Sequence, residues 1–214
     1  MMPIALPQRL SLCLCLSLLA STAMAAPEYY RVTGVAADDT LNVRAAPDGS
    51  SEDIGDLLPD TTGLEVLDRD DSGKWGRITW YEGNGWISMR FLEKDDIARI
   101  GQTTLPAGLL CGGTEPFWSI RFAETTATFS DITSNHSVLP LGDTLVAGGR
   151  PAFPAALRHR SDEAASLSIL RPQACSDGMS DRDYGYSVVL LIRTLQGEGF
   201  YEGCCWLPLE TGQH

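Results

Sequence analysis

The sequence predicts an all-β protein made of two small modules: an N-terminal barrel, then a disulfide-bonded antiparallel β-barrel or sandwich. Three observations support this. The 214 residues are 43% hydrophobic and 21% charged, a globular composition. Short runs of alternating apolar and polar residues recur between turn-forming residues. All four cysteines after residue 25 lie in the second half, so the first half must fold without a disulfide.

Residues 1–25 have the composition of a secretory signal peptide. Arg9 is the only charge before an apolar run from Leu10 to Ala20, which is too short to span a bilayer comfortably. Small residues at positions 23 and 25 predict cleavage after Ala25 and a periplasmic or secreted product with no transmembrane span. The alternative is an uncleaved N-terminal anchor.

The formal net charge of −12 argues against two classes of partner. Nucleic acids and anionic membrane surfaces are bound through Lys and Arg, which are outnumbered here. Residues 26–98 contain 16 acidic and 7 basic side chains, a balance that disfavours anionic ligands and tolerates ligands with free amines. The alternative is an acidic surface that only keeps the protein soluble.

Five segments of the first module resemble the bacterial SH3 domain, in order and at normal spacing. They are Leu41–Pro47 (LNVRAAP), Ile54–Leu57 (IGDL), Leu64–Leu67 (LEVL), Lys74–Ile78 (KWGRI) and Gly85–Ser88 (GWIS). The resemblance implies an SH3-like barrel at residues 26–95 that is found outside the cytoplasm. It also implies a binding module for a peptidoglycan stem peptide or an envelope protein.

A barrel of this size has no interior cavity, so a ligand must bind in a surface groove. Aromatic side chains offer large contact areas there, and residues 42 and 44 flank Val43 and should face outward. Alternative roles are half-buried packing for Trp86 and a contact to the following loop for Arg44. Ile78, Trp80 and Ile87 are predicted core. The candidate ligand-binding residues are Tyr30, Asn42, Arg44, Trp75, Tyr81 and Trp86.

Residues 96–108 have the composition of a linker, which predicts some relative motion of the modules. Residues 109–214 then form the second module. Val188–Ile192 is apolar at every position, which predicts a central strand covered on both faces, and a tight hairpin is expected at residues 197–199. The predicted strands are Trp118–Phe122, Ala127–Ile132, Ser166–Leu170, Ser187–Thr194 and Phe200–Trp206.

Three motifs of this module resemble an uncharacterised family of bacterial envelope proteins: Cys111–Trp118 (CGGTEPFW), Cys175–Arg182 (CSDGMSDR) and Gly203–Cys205 (GCC). The family implies no activity. The aspartates lack calcium-loop spacing because a glycine follows the first one, so they are predicted to cap turns. Glu115 is expected to be buried, bonded to backbone amides or to Arg182. The motif residues of unassigned role are Glu115, Trp118, Asp177, Ser180, Asp181 and Arg182.

The four cysteines Cys111, Cys175, Cys204 and Cys205 are predicted to form two disulfides. A bond between neighbours would strain the chain, and adjacent residues of a strand point to opposite faces. One of the adjacent pair should therefore bond Cys111 and the other Cys175, and both assignments stay open. Closing a loop of about 90 residues stabilises by about 4 kcal/mol. A thiolate metal site is the alternative, disfavoured because no C-x-x-C spacing occurs.

No catalytic residue, metal or cofactor is predicted. The histidines His136, His159 and His214 lack partners in any motif, and no nucleophile or phosphate-loop motif occurs. The expectation is a non-enzymatic binding protein of the cell envelope that recognises a peptidoglycan peptide or a protein partner. The alternative is an envelope enzyme or inhibitor acting on the cell wall through the second module, for example with Glu115 and Asp181 as a carboxylate pair.

Overall fold

The computed structural model of the protein describes residues 25–133 and 136–209. The predicted signal peptide lies outside these residues, apart from Ala25. The described residues form sixteen strands and one 3-10 turn, Met89–Phe91, which confirms the all-β fold class. Within this part of the chain, no helix has the length and apolar character needed to cross a membrane.

The N-terminal module consists of two packed antiparallel sheets. Its strands are β1 (Glu28–Val32), β2 (Leu41–Arg44), β3 (Asp53–Leu57), β4 (Leu64–Val66), β5 (Asp68–Arg69), β6 (Trp75–Trp80), β7 (Gly83–Ser88) and β8 (Leu92–Lys94). One sheet has the order β4-β1-β8 and the other β3-β2-β7-β6-β5. Asp70 sets the tight turn between β5 and β6, because its carboxylate accepts hydrogen bonds from the amides of Ser72 and Trp75. The predicted core residues Ile78, Trp80 and Ile87 are buried.

The C-terminal module is a closed eight-stranded antiparallel barrel. Its strands are β9 (Leu110–Thr114), β10 (Phe117–Phe122), β11 (Thr126–Asp131), β12 (His136–Val146), β13 (Ala155–Arg160), β14 (Ala165–Cys175), β15 (Tyr184–Thr194) and β16 (Gly197–Trp206). The order around the barrel follows the chain, with β9 closing it between β16 and β10. The predicted final hairpin is present, with its turn at Leu195 and Gln196 rather than at residues 197–199.

Sequence reasoning missed three of these strands and misjudged one. β9 contains two glycines, and β12 contains Pro140 and Gly142 beside a register shift, so neither has a clean alternating pattern. The third strand that was not predicted is β13. The prediction that β15 is covered on both faces is wrong: Leu191 is 42% exposed, whereas its neighbours Leu190 and Ile192 are buried. A closed barrel has one interior, so only alternate residues of each strand are covered.

The segment predicted to be a linker packs against the barrel. Ile100 and Leu105 are fully buried in the core of the C-terminal module. The amide of Gly101 donates to the carbonyl of Glu124, and the amide of Gly108 donates to that of Phe122. Residues 99–108 are therefore attached to the barrel, and the chain between the modules is shorter than its composition indicates.

Both predicted disulfides form, and strand register decides their pairing. Cys205 lies directly opposite Cys111 on the neighbouring strand, with their Cα atoms 4.0 Å apart, and these two are bonded. Cys204 points to the other face and bonds Cys175, with a Cα separation of 5.6 Å. The prediction that the adjacent cysteines take different partners is confirmed.

Candidate functional site

The outer face of the five-stranded sheet carries most of the candidate ligand-binding residues. Burial alternates along β6 and β7, so Trp75, Arg77 and Trp86 face outward while Ile78 and Ile87 face the core. Trp86 pairs with Arg77 on one side and with Arg44 on the other. The indole of Trp86 therefore stands in a row between two arginines, with Trp75 a diagonal neighbour on the same face.

We call Asn42, Arg44, Trp75 and Trp86 the tryptophan face. All four are half-buried. Arg44 donates to the carbonyl of Ser51 at 3.1 Å and lies 3.7 Å from the carboxylate of Asp53. Asn42 also donates to Asp53. The contact of Arg44 to the following loop, predicted as its alternative role, is thus confirmed, and it holds the guanidinium in a fixed position beside Trp86.

Tyr81 lies away from the tryptophan face, at the tip of the β6–β7 hairpin. Its side chain is 63% exposed and its backbone has φ 46°, a left-handed conformation that is uncommon for a bulky residue. With Thr79, Arg182 and Leu207 it lines a depression of about 210 Å³ between the two modules. Exposed, conformationally constrained aromatic residues are typical of binding surfaces.

The structure removes Tyr30 from the surface set. It lies on β1, between β4 and β8, and is only 3% exposed. Its hydroxyl donates to Glu28 at 2.6 Å, and the charged ends of Arg69 and Lys94 lie over its ring at 5.6 and 4.6 Å. Alternation within a five-residue strand could not show which of Tyr29 and Tyr30 faces a groove, and in fact both are buried.

The aspartate-rich loop between β14 and β15 docks on the β6–β7 hairpin of the first module. The amide of Asp181 donates to the carbonyl of Glu82, and Asn84 donates to the carbonyl of Asp181. The amide of Asp183 donates to Asn84, and the hydroxyl of Thr79 donates to the carbonyl of Asp183, both at 3.0 Å. These four hydrogen bonds make the loop an interface between modules.

Two arginines reinforce this interface. Arg77 pairs with Asp68 of its own module at 2.6 Å and with Asp183 of the other. Arg182 donates to the carbonyl of Tyr81 and pairs with Glu82 at 3.3 Å. The motif residues Asp181 and Arg182 thus have a docking role. Sequence reasoning missed Arg77 and Asp183, because nothing local indicates a partner about a hundred residues away.

Asp177 shapes this loop, as the predicted turn-capping role requires. One carboxylate oxygen accepts the amides of Met179 and Ser180 at 2.9 Å, and the other accepts the hydroxyl of Tyr184 at 2.8 Å. Partial burial raises the pKa of Asp177, but these hydrogen bonds outweigh it and lower the pKa to about 2. The carboxylate is therefore ionised, with both oxygens engaged by the loop itself. Turn capping by Asp177 is confirmed.

Of the remaining motif residues, Glu115 is exposed and Trp118 is buried. Glu115 is exposed, and Arg182 bonds the other module, so the expectation of a buried Glu115 is wrong. The reason is that Glu115 lies in the turn between β9 and β10. Trp118 is buried, and its indole occupies the space that a side chain at Gly113 or Gly203 would need. The glycines of both motifs are therefore a packing requirement.

A second contact between the modules is a buried polar cluster around Glu65. The Tyr29 hydroxyl lies 3.3 Å from the Glu65 carboxyl and 3.2 Å from the hydroxyl of Tyr186 on the barrel. The other Glu65 oxygen accepts the amide of Leu207 at 3.2 Å. Burial raises the pKa of Glu65 to about 8, and the Leu207 and Tyr29 hydrogen bonds only partly oppose this. Glu65 is therefore mostly protonated at pH 7.

The raised pKa of Glu65 predicts that stability falls as pH rises. Between pH 4.5 and about 8 the unfolded chain releases a proton that the folded protein keeps. The Glu65 contribution is fully present below pH 4.5 and is lost as pH rises through about 8, with a slope approaching about 1.4 kcal/mol per pH unit. Urea unfolding at a series of pH values measures it. Glu65→Gln should remove this slope, whereas Glu163→Gln, at an exposed turn, should keep it; equal slopes in wild type and Glu65→Gln would contradict the prediction.

These features define an all-β protein of two interlocked modules, an SH3-like region and a disulfide-bonded barrel. A family model for the bacterial SH3 domain matches residues 39–93. Neither the curated proteins nor the solved structures compared with the chain give a match. The resemblance of the C-terminal motifs to an envelope family is not confirmed by these comparisons. Bacterial SH3 domains are commonly cell-wall or protein binding modules, which supports a binding role.

Proposed function

We propose that this is an exported, non-enzymatic binding protein of the cell envelope whose tryptophan face binds a peptidoglycan stem peptide. The observation that most directly supports this proposal is that Trp75, Trp86 and Arg44 are partly exposed on one sheet face of a bacterial SH3 domain. The C-terminal barrel contacts the other end of that face, around Thr79 and Asn84. An envelope protein that offers the same peptide chemistry is the second candidate partner.

The chemistry of the face supports a peptide that carries both charges. Arg44 lies next to Trp86, 3.7 Å from the Asp53 carboxylate, and can also meet a ligand carboxylate, while the acidic surroundings of the module favour an amine. Tryptophan offers a flat apolar surface and attracts cations to its ring. A stem peptide with a diamino acid has this combination of groups. The shallow depression of about 580 Å³ beside Trp75, lined by Met89 and Arg90, offers room to continue the chain.

The two disulfides support an extracytoplasmic site of action. Cys111–Cys205 and Cys175–Cys204 are bonds that form and persist in oxidising compartments. The bacterial SH3 match is consistent with the same location. The proposed export rests further on the predicted signal peptide of residues 1–25, which mass determination of the N-terminus of the secreted protein would test.

Binding is tested with the intact mature protein and purified peptidoglycan sacculi. Trp86→Ala and Trp75→Ala are expected to weaken retention about tenfold each, because truncating a central aromatic contact costs about 1–2 kcal/mol. Phe200→Ala is the matched control: its ring is 71% exposed on the barrel, and retention should not change. Circular dichroism confirms that the variants are folded.

Three results would contradict the proposal. Wild-type protein that is not retained on sacculi excludes the wall peptide and favours a protein partner. Equal losses for Phe200→Ala and Trp86→Ala indicate non-specific adhesion of aromatic side chains. Release of soluble muropeptides by the wild-type protein shows an enzyme instead of a binding module.

A further inference from the structure

The interior of the C-terminal barrel contains polar side chains that the binding role proposed above does not use. His159, Ser166 and Ser168 are 1%, 7% and 0% exposed. Within the described residues, both ring nitrogens of His159 and both serine hydroxyls lack a hydrogen-bond partner. Buried polar atoms in folded proteins are nearly always paired, and leaving them unpaired costs free energy. Four unpaired atoms in one place can be paired by another molecule, either ordered water or a ligand.

These side chains form one cluster on the barrel wall. His159 on β13 pairs directly with Ser166 on β14, and Ser168 follows two residues later on the same face. The three residues and the buried side chains around them face the interior, since Leu157 and Leu170 on the same strands belong to the core. We call His159, Ser166 and Ser168 the polar cluster.

The barrel has a mouth next to this cluster. A depression of about 190 Å³ opens beside the β15–β16 hairpin, and its lining includes Phe129, Ile192, Thr194, Tyr201 and Asp131. Ile192 pairs directly with Ser166 of the polar cluster. Ile192, a lining residue of the mouth, is therefore a cross-strand neighbour of the polar cluster.

The surroundings restrict what such a molecule can be. Burial lowers the pKa of His159 to about 4, so at neutral pH its ring is uncharged and offers one donor and one acceptor. The serine hydroxyls can each donate and accept. Tyr201 lies 5.9 Å from Phe129 between ring centroids and stacks on Trp118, which gives an aromatic wall. Asp131 in the lining of the mouth disfavours anions, whereas Glu198 there is paired with Arg193.

We propose that this end of the C-terminal barrel binds a small neutral molecule bearing hydroxyl or amide groups, which hydrogen-bonds His159, Ser166 and Ser168. Eight-stranded barrels are filled by side chains or hold one small ligand, and barrel mouths are common ligand sites. The site is in the other module from the tryptophan face, so either proposal can fail without the other.

The test is a titration of the mature protein with N-acetylglucosamine, glucose and acetamide as neutral probes, followed by NMR of the His159 ring. At least one probe should bind saturably at one site and shift the ring signals. Glucosamine and acetate, the charged counterparts, should bind at least about tenfold more weakly, because nothing in the polar cluster compensates a charge. A crystal of the complex should show the probe on the cluster.

Two variants separate a ligand site from a structural role. Ser166→Ala and His159→Leu are expected to weaken probe binding about tenfold while leaving the melting temperature of the free protein unchanged or higher, because unpaired polar groups are removed. Ser119→Ala, the same change on an outward position of β10, should leave both quantities unchanged.

Any of three results would overturn the proposal. The first is that none of the neutral probes binds and the crystal shows only ordered water at the cluster. The second is that probe affinity is the same in wild type, Ser166→Ala and His159→Leu, which would place binding elsewhere. The third is that both variants are strongly destabilised, which would show that the polar side chains already have partners that hold the barrel together.

Discussion

Replacing Gly203 by alanine is expected to destabilise the protein by about 3 kcal/mol, as overpacking against rigid groups does. A Cβ at Gly203 would lie 2.1 Å from the carbonyl oxygen of Gly112 and 2.9 Å from the indole of Trp118. The closest obstacle is backbone, and β16 cannot move away because the next residues, Cys204 and Cys205, are both disulfide-bonded. Urea unfolding followed by tryptophan fluorescence measures the loss.

Gly148→Ala is the matched control for this substitution. Nothing lies within 4 Å of a Cβ at Gly148, so the same added methyl group should change the free energy of unfolding by less than about 0.5 kcal/mol. If Gly203→Ala is as stable as Gly148→Ala, then β9 and β16 do not approach each other closely, and the packing explanation of the glycine motifs is wrong.

Removing the Cys111–Cys205 disulfide is expected to have the largest effect of any single bond. Its cysteines are 94 residues apart, and the chain-entropy relation gives about 4.7 kcal/mol for that loop. The Cys175–Cys204 bond spans 29 residues, for which the relation gives about 3.5 kcal/mol. Both sulfurs of the longer loop also lie in the barrel core, so their removal leaves a poorly filled volume there.

The double variants Cys111→Ala/Cys205→Ala and Cys175→Ala/Cys204→Ala allow a direct comparison under non-reducing conditions. The first should be the less stable of the two in urea unfolding. In the presence of a strong reductant the wild-type protein should lose more stability than either variant, since it has two bonds to lose. If the Cys175–Cys204 variant is the less stable one, loop length does not dominate, and the docking loop that follows Cys175 contributes more than expected.

The contact between the modules bears on how the proposed binding function would operate. The loop from Asp177 to Asp183 lies on the β6–β7 hairpin, close to Tyr81 and at one end of the row that contains Trp86. The Glu65 cluster joins the modules at a separate place. Two separate polar contacts hold the barrel beside the SH3-like module. The barrel therefore covers the surface next to one end of the tryptophan face, and a ligand on that face would lie beside it.

Much of the first module could be predicted because its signals are local. The turn at Asp70, the alternation of β6 and the landmarks between Leu41 and Ser88 depend on residues that are close in sequence. The placement of Tyr30 could not be predicted, because it depends on β1 pairing with both β4 and β8. In the second module, the buried residues of β15 were recognisable as apolar, but only barrel closure shows which of them face inward.

By itself, the sequence determined the all-β class, the bacterial SH3 resemblance and the rule that Cys204 and Cys205 take different partners, because these follow from local alternation and adjacency. The tertiary structure decided that Cys205 bonds Cys111, that Arg77 meets Asp183, and that His159 and Ser166 lie side by side. Each of these depends on strand register or on docking between distant segments. Such contacts form only when the whole chain has folded, and no short stretch of residues encodes them.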